Sequence, residues 1–178
     1  MLKFTFFILF LFINFSWAST ATKFEVVNLE NLKIETLQIG VKNTVIFFSS
    51  IDCPCSDSHL SHFVDLKKQF PEITFVGINE NGKERIDEIR SYYQNKNLNF
   101  PIFLDKDFKV ADALGAVKTP HVYLLDKEGK IIYHGGVTNS SNFNSATTFY
   151  LQEVLNDISK GQKPRRDFAR ALGCYIAR

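Results

Sequence analysis

Cysteine is scarce in this chain. Three are present in 178 residues, too few for the disulfide framework of a small secreted scaffold. At this length a packed core carries stability without such staples. Basic residues form no stripe of the kind a nucleic-acid binder needs, and the net charge is only +2. The short run "KPRR", Lys163 to Arg166, reads as a solvated tail. No apolar run reaches the ~20 residues of a membrane span. Phosphate loops, HExxH helices and zinc-finger spacings are missing, which removes the chemistries those motifs carry. Internal repeats and low-complexity segments are also missing, so one domain is expected.

What is present begins with the compartment. "MLKFTFFILFLFINFSWAS" carries one positive charge, Lys3, then an apolar run from Phe4 to Phe15. Ser16 and Ala18 flank Trp17 in the small-x-small pattern of a cleavage site. The pattern predicts a secretory signal peptide over residues 1–18, with an uncleaved anchor as the alternative. No cysteine follows the run, so no lipid-modified N-terminus is expected. The mature chain begins near Ser19 and works in the periplasm or outside the cell, without stable membrane insertion. Disulfides persist there. Residues 19–162 are the expected domain, and 163–178 a C-terminal tail.

Apolar residues make up 45% of the chain and charged residues 22%, enough for a core. "TVIFFSS", Thr44 to Ser50, reads as a buried strand, and "SDSHLSHFVDLKKQF" after it as a helix. Ile73 to Asn79 is a second buried strand. Lys83 to Lys96 is a charged helix, "FPIFLD" a third strand, and "FKVADALGA" a short helix ended by Gly115. "HVYLLD" and "KIIYHGG" form a hairpin around Lys127–Gly129. A last helix runs from about Ser145 to Lys160, and Lys23 to Ile39 adds a pair of strands. This order predicts an α/β fold with a central mixed sheet flanked by helices and an N-terminal strand extension.

Two of the three cysteines, Cys53 and Cys55, are separated only by Pro54. They sit where the Thr44–Ser50 strand gives way to a helix. Reactive sites in such sheets lie at the carboxyl ends of parallel strands. A helix start offers unsatisfied N–H groups and a positive dipole end. Both favour a thiolate below the free pKa of ~8.5. Pro54 suits the first helical position, so Cys53 caps the helix and Cys55 lies in its first turn. Asp52 opposes the thiolate. Three cysteines leave one over, so one thiol stays free, pairs outside the chain or takes turns. The third, Cys174, lies in "LGCYIAR".

Cys53-Pro54, "FVGIN" (Phe75 to Asn79), Thr119-Pro120, Leu124 to Gly135 and Gly173 to Ile176 follow one another in a familiar order. The chain resembles the thioredoxin-like superfamily, and within it the redoxin branch of alkyl hydroperoxide reductases and thiol-specific antioxidants (AhpC/TSA). The resemblance spans roughly Thr44 to Ile176. It implies a thioredoxin-like fold, a cis Thr119-Pro120 bond against the reactive cysteine, and an enzyme that is a thiol-dependent oxidoreductase. There are departures. Thioredoxin has two residues between its cysteines, where this chain has one. The threonine place of the peroxiredoxin pattern holds Ser50, and its proline place holds Ile46.

Three chemistries stay open. Cys53 attacks a protein or small-molecule disulfide, or a peroxide. Cys55 is the first candidate to resolve the product and Cys174 the second. Ser50, Pro54, Thr119 and Pro120 shape the substrate groove, an unidentified thiol supplies electrons, and no cofactor is expected. A thiol peroxidase is one alternative. A copper-binding metallochaperone is another, with Cys53, Cys55, His59 and His121 as soft-metal ligands. His62 is expected on a helix surface and His134 at a strand edge. "NSS" at Asn139 matches a glycosylation acceptor, a motif that recurs by chance.

Overall fold

The computed structural model describes residues 23–80 and 82–177. The expected signal peptide lies outside them. No helix among the described residues is long and apolar enough to cross a membrane.

The chain opens with the hairpin β1 (Lys23–Asn28) and β2 (Ile34–Gln38). It continues through β3 (Thr44–Ser49), α1 (Pro54–Gln69), β4 (Thr74–Asn79), α2 (Ile86–Gln94) and β5 (Ile102–Leu104). Next come α3 (Lys109–Leu114), β6 (Lys118–Thr119), β7 (His121–Leu125), β8 (Ile131–Gly135) and α4 (Tyr150–Ser159). Two short strands close it, β9 (Phe168–Ala169) and β10 (Cys174–Tyr175). Eight strands form one mixed sheet in the order β2-β1-β5-β4-β3-β7-β8-β9, while β10 and β6 make a separate pair. β3, β4 and β5 run parallel, and β7 returns antiparallel beside β3.

Every residue of β3 is buried, as expected of a strand covered on both faces. Successive side chains point to opposite sides. Val45 and Phe47 therefore join one core with Leu60, Phe63 and Leu66 of α1, Ile89 and Tyr93 of α2, and Leu151, Val154 and Leu155 of α4. Ile46 and Phe48 join the other, with Val110 and Ala111 of α3 and Tyr123 of β7. Phe63 stacks on Phe47 with ring centroids 3.9 Å apart. This contact packs α1 against β3, the strand that leads into it.

Two expected helices start later than their periodicity suggests. α4 begins at Tyr150 rather than about Ser145, because Asn139 holds the preceding loop. Its Oδ1 accepts from the N–H groups of Thr147 (2.9 Å) and Thr148 (3.0 Å), and its Nδ2 donates to Thr147 Oγ1 at 2.8 Å. That engagement gives the Asn139 motif a loop-bracing role. α2 begins at Ile86 rather than Lys83, and the residue freed from it, Glu84, turns toward the end of β3. The Asp126–Lys130 turn closes the expected hairpin, with Asp126 Oδ1 accepting from the backbone of Glu128 and Lys130.

His62 and His134 are placed differently from their expectations. His62 is buried, its ring 4.7 Å from that of Phe143 and 5.7 Å from that of Phe149. The loop that delays α4 brings both phenylalanines over this face of α1. His134 lies on an inner strand, because β9 pairs beyond it with Phe168 opposite His134.

Candidate active site

The chain leaves β3 at Ser49 and turns through Ser50, Ile51 and Asp52 into α1. Cys53 is the N-cap, with extended dihedrals (φ −101°, ψ 105°), and Pro54 occupies the first turn. The Cys53 N–H donates to Ser50 O at 3.2 Å, and its carbonyl accepts from Asp57 N at 3.1 Å. The sulfur faces the Thr119-Pro120 loop, whose peptide bond is cis. As a thiol, Cys53 donates to Thr119 O at 3.0 Å.

The C-terminal segment comes back to the same place. β10 pairs antiparallel with β6, Cys174 opposite Thr119 and Tyr175 opposite Lys118. The Ile176 N–H donates to Val117 O at 3.1 Å, and the Gly82 N–H to Ala177 O at 2.9 Å. This brings Cys174 Sγ to 2.6 Å from Cys53 Sγ. All three cysteines are free thiols, Cys53 buried and the other two half-buried. Their sulfurs lie within 4.8 Å of one another. The approach depends on Gly173, where a Cβ would stand 2.0 Å from Thr119 O.

The trio is electrostatically ordered. Burial pushes the Cys53 thiol up, but hydrogen bonding outweighs it and brings the pKa down to about 7. The largest of these bonds comes from Cys174, followed by Thr119 and Ser56. The Thr119 and Ser56 hydroxyls are buried and have no other partner, so a thiolate at Cys53 satisfies two donors otherwise stranded. Burial first, and then the Cys53 charge, raise Cys55. Burial and the hydrogen bond to Cys53 push Cys174 up to about 12. One thiolate flanked by two thiols is the favoured state, and a thiolate is the form in which a cysteine acts as a nucleophile. Asp52, expected to oppose it, is exposed to solvent.

Glu84 was hidden in the sequence by its charged surroundings, "NGKERID". Its Oε1 accepts from Ser50 Oγ at 2.5 Å and from the Asp52 N–H at 3.2 Å, and its Oε2 accepts from Asn79 Nδ2 at 2.7 Å. Tyr93 Oη sits 2.9 Å from Asn79 Oδ1 and 3.0 Å from Ser49 Oγ. The network fixes the turn that presents Cys53. It also occupies the Ser50 hydroxyl, which was expected to face the substrate.

The expected histidine ligands do not join the sulfurs. His59 Nδ1 is 2.8 Å from Cys55 O and its Nε2 is 3.0 Å from Thr138 Oγ1, so both ring nitrogens are engaged. His121 lies instead with Tyr123 and His134. Burial lowers its pKa to about 4. The metal-ligating cluster found among the described residues is Cys53, Cys55 and Cys174, with Cys174 in place of the histidines.

The sequence model of the AhpC/TSA family matches residues 18–134. The chain belongs to the AhpC/TSA family. As an AhpC/TSA protein with thioredoxin-like architecture, it is a thiol-dependent oxidoreductase. The match holds Cys53, Cys55 and the cis-proline, and ends before Cys174. The thiol-disulfide oxidoreductase ResA of Halalkalibacterium halodurans is 28% identical over 122 residues, which cover 66% of this chain and 68% of that protein. ResA of Bacillus subtilis is 26% identical over 123 residues, 67% of this chain and 66% of that protein. The chain therefore spans about two thirds of these relatives. An uncharacterized conserved protein from Geobacillus kaustophilus shares the fold with a TM-score of 0.80 at 22% identity, over 89% of both chains.

Proposed function

We propose that this AhpC/TSA protein is an extracytoplasmic thiol-disulfide oxidoreductase in which Cys53 attacks and Cys174 resolves. Residues 1–18 direct export, 19–162 form the catalytic body, and 163–178 carry the resolving thiol. The Cys53 thiolate attacks one sulfur of a substrate disulfide, forming a mixed disulfide and expelling the other sulfur as a thiolate. Cys174 then gives up its proton and attacks Cys53 Sγ. The mixed disulfide breaks, the second substrate thiolate leaves with the electron pair, and Cys53–Cys174 is left oxidised. An external thiol returns the pair to its reduced form.

The observation that carries this reading is the 2.6 Å approach of the two sulfurs. It favours Cys174 over Cys55 as resolver, through proximity. The ResA relatives, named as thiol-disulfide oxidoreductases, support the same reaction class. The Ser50 hydroxyl donates to Glu84, which leaves the peroxidase alternative without its expected peroxide donor. Cys174→Ser traps a mixed disulfide at Cys53, while Cys55→Ser keeps turnover. Turnover retained by the first variant and lost by the second would reassign the resolver to Cys55.

A second reading has one observation in its favour, the three clustered sulfurs. Thiolates select soft ions such as Cu(I). Titration of the reduced protein with Cu(I) against a competing chelator checks it. One ion bound per chain, weakened by each Cys→Ser change and unaffected by His121→Ala, supports carriage of the metal.

A further inference from the structure

The strand that covers Cys53 is the chain's own. Its backbone pairs with β6, the open edge beside the cis-proline, and Cys53 is 1% exposed beneath it. We propose that the 173–177 segment is a tethered pseudo-substrate at this edge, and that an extended polypeptide taking its place must carry a glycine before its cysteine. The inference rests on Cys53 being the nucleophile, and names both the substrate class and the gate of that site.

Three features of the contact support it. The resident strand presents a sulfur to Cys53 at 2.6 Å, the relation that a substrate cysteine must adopt. Its glycine is demanded by the edge itself. A Cβ at position 173 would meet Thr119 O at 2.0 Å, Thr119 C at 2.7 Å and Pro120 Cδ at 3.1 Å. Any strand in this register meets the same carbonyl, so the requirement passes to the substrate. Finally, the hold is short and local. β10 has two residues, two further backbone bonds join Ile176 to Val117 and Ala177 to Gly82, Ile176 packs at the margin of the core, and the outward Tyr175 is 76% exposed, with Lys118 Nζ 4.9 Å from its ring centre. The anchor before it, β9, pairs with β8 rather than with β6. The segment after Ala169 can therefore lift while β9 stays in the sheet.

Exchange then has an order. A substrate strand displaces the tail, and Cys174 leaves the site with it. The mixed disulfide at Cys53 forms in its absence, with the Thr119 and Ser56 hydroxyls left to hold the thiolate, and persists while the substrate strand holds the edge. When the tail re-docks, it expels that strand and returns Cys174 to Cys53. Cys174 loses a proton and forms the new S–S bond, and the substrate sulfur departs as a thiolate. Resolution and product release are one movement.

The test uses Gly173→Val and a chain ending at Leu172, both with folding checked by circular dichroism. Labelling of Cys53 by a bulky maleimide, read by mass spectrometry at the pH midpoint of each protein's own Cys53 ionisation so that the thiolate fraction is matched, should rise about tenfold or more in both, because the covering strand no longer protects it. Two disulfide-activated peptides then report on the edge, one copying residues 171–177 and one with valine for the glycine. The first should react with the wild-type chain about tenfold faster than the second, and faster again with the shortened chain. Equal peptide rates would overturn the glycine requirement, and unchanged labelling of both variants would overturn the gate. Reaction with a small aromatic disulfide separates this from the underlying reading. If that exchange is lost in Cys53→Ser but ignores Gly173 and the peptide glycine, only the tail inference fails. If Cys53→Ser leaves it intact, the nucleophile assignment itself fails.

Discussion

Cys53 and Cys174 meet at one point but are held there by different kinds of structure. Cys53 hangs from the end of a fully buried strand and the start of a sixteen-residue helix. Phe47 and Phe63 stack directly beneath that junction. Cys174 rides on a two-residue strand paired with another two-residue strand. Its neighbours on either side are a glycine and an exposed tyrosine. The contrast separates two requirements of disulfide exchange. A nucleophile must be fixed and desolvated in an ordered field of donors. A resolving thiol must arrive and leave.

The largest effect that can break this contrast is on stability. Phe63→Ala should cost about 3–5 kcal/mol, the usual loss on truncating a buried aromatic ring. Tyr175→Ala should change stability by about 0.5 kcal/mol or less, as expected of an exposed side chain. Urea denaturation of the reduced proteins measures both. Comparable losses would mean that the tail belongs to the cooperative core, and the two sulfurs would then be held alike.

The junction was more legible in the sequence than the tail. "TVIFFSS" followed closely by "DCPC" announced a buried strand and a helix start with a cysteine at its cap, because each rests on local rules of burial and capping. The cis Thr119-Pro120 bond came from family resemblance alone. Glu84 could not be read at all. It lies in a charged stretch with helical character, and only the late start of α2 turns it toward Ser50. The histidines misled for a similar reason. His59 does lie one helical turn beyond Cys55, but spacing along the helix does not say that Thr138 and the Cys55 carbonyl take up its nitrogens. Cys174 was legible as a cysteine, but its partner depended on a pairing between strands more than fifty residues apart.

Glu84 offers the next sharpening. Its carboxylate holds Ser50, Asp52 and Asn79 together, so Glu84→Gln should cost about 1.5–3 kcal/mol, the scale of hydrogen bonds to a charged group. The loss belongs to the junction and not to the tail. Maleimide labelling of Cys174 should therefore stay at the wild-type rate while the reaction of Cys53 with a small disulfide slows. A change confined to Cys174 would place Glu84 in the tail's support.

The smallest effect is a shift along the pH axis. The Cys53 pKa lies at about 7 against an ordinary 9.0, because the hydrogen bonds to its sulfur, that from Cys174 foremost, outweigh the upward push of burial. Cys174→Ala removes that donor, so the midpoint for alkylation of Cys53 should move upward, toward 9.0. The stability of the reduced wild-type chain follows the same ionisations. A depressed pKa contributes stability that is complete above 9.0 and is lost as the pH falls through about 7. Cys174, raised to about 12, works in the opposite sense. Its contribution is intact below 9.0 and declines as the pH climbs from there toward 12. The thiol-linked part of stability should thus be greatest near pH 9, and in Cys174→Ala the alkaline decline should shrink. An alkylation midpoint that stays at about 7 in that variant would leave Thr119 and Ser56 as the donors that hold the thiolate, and the tail would contribute a sulfur without tuning its partner.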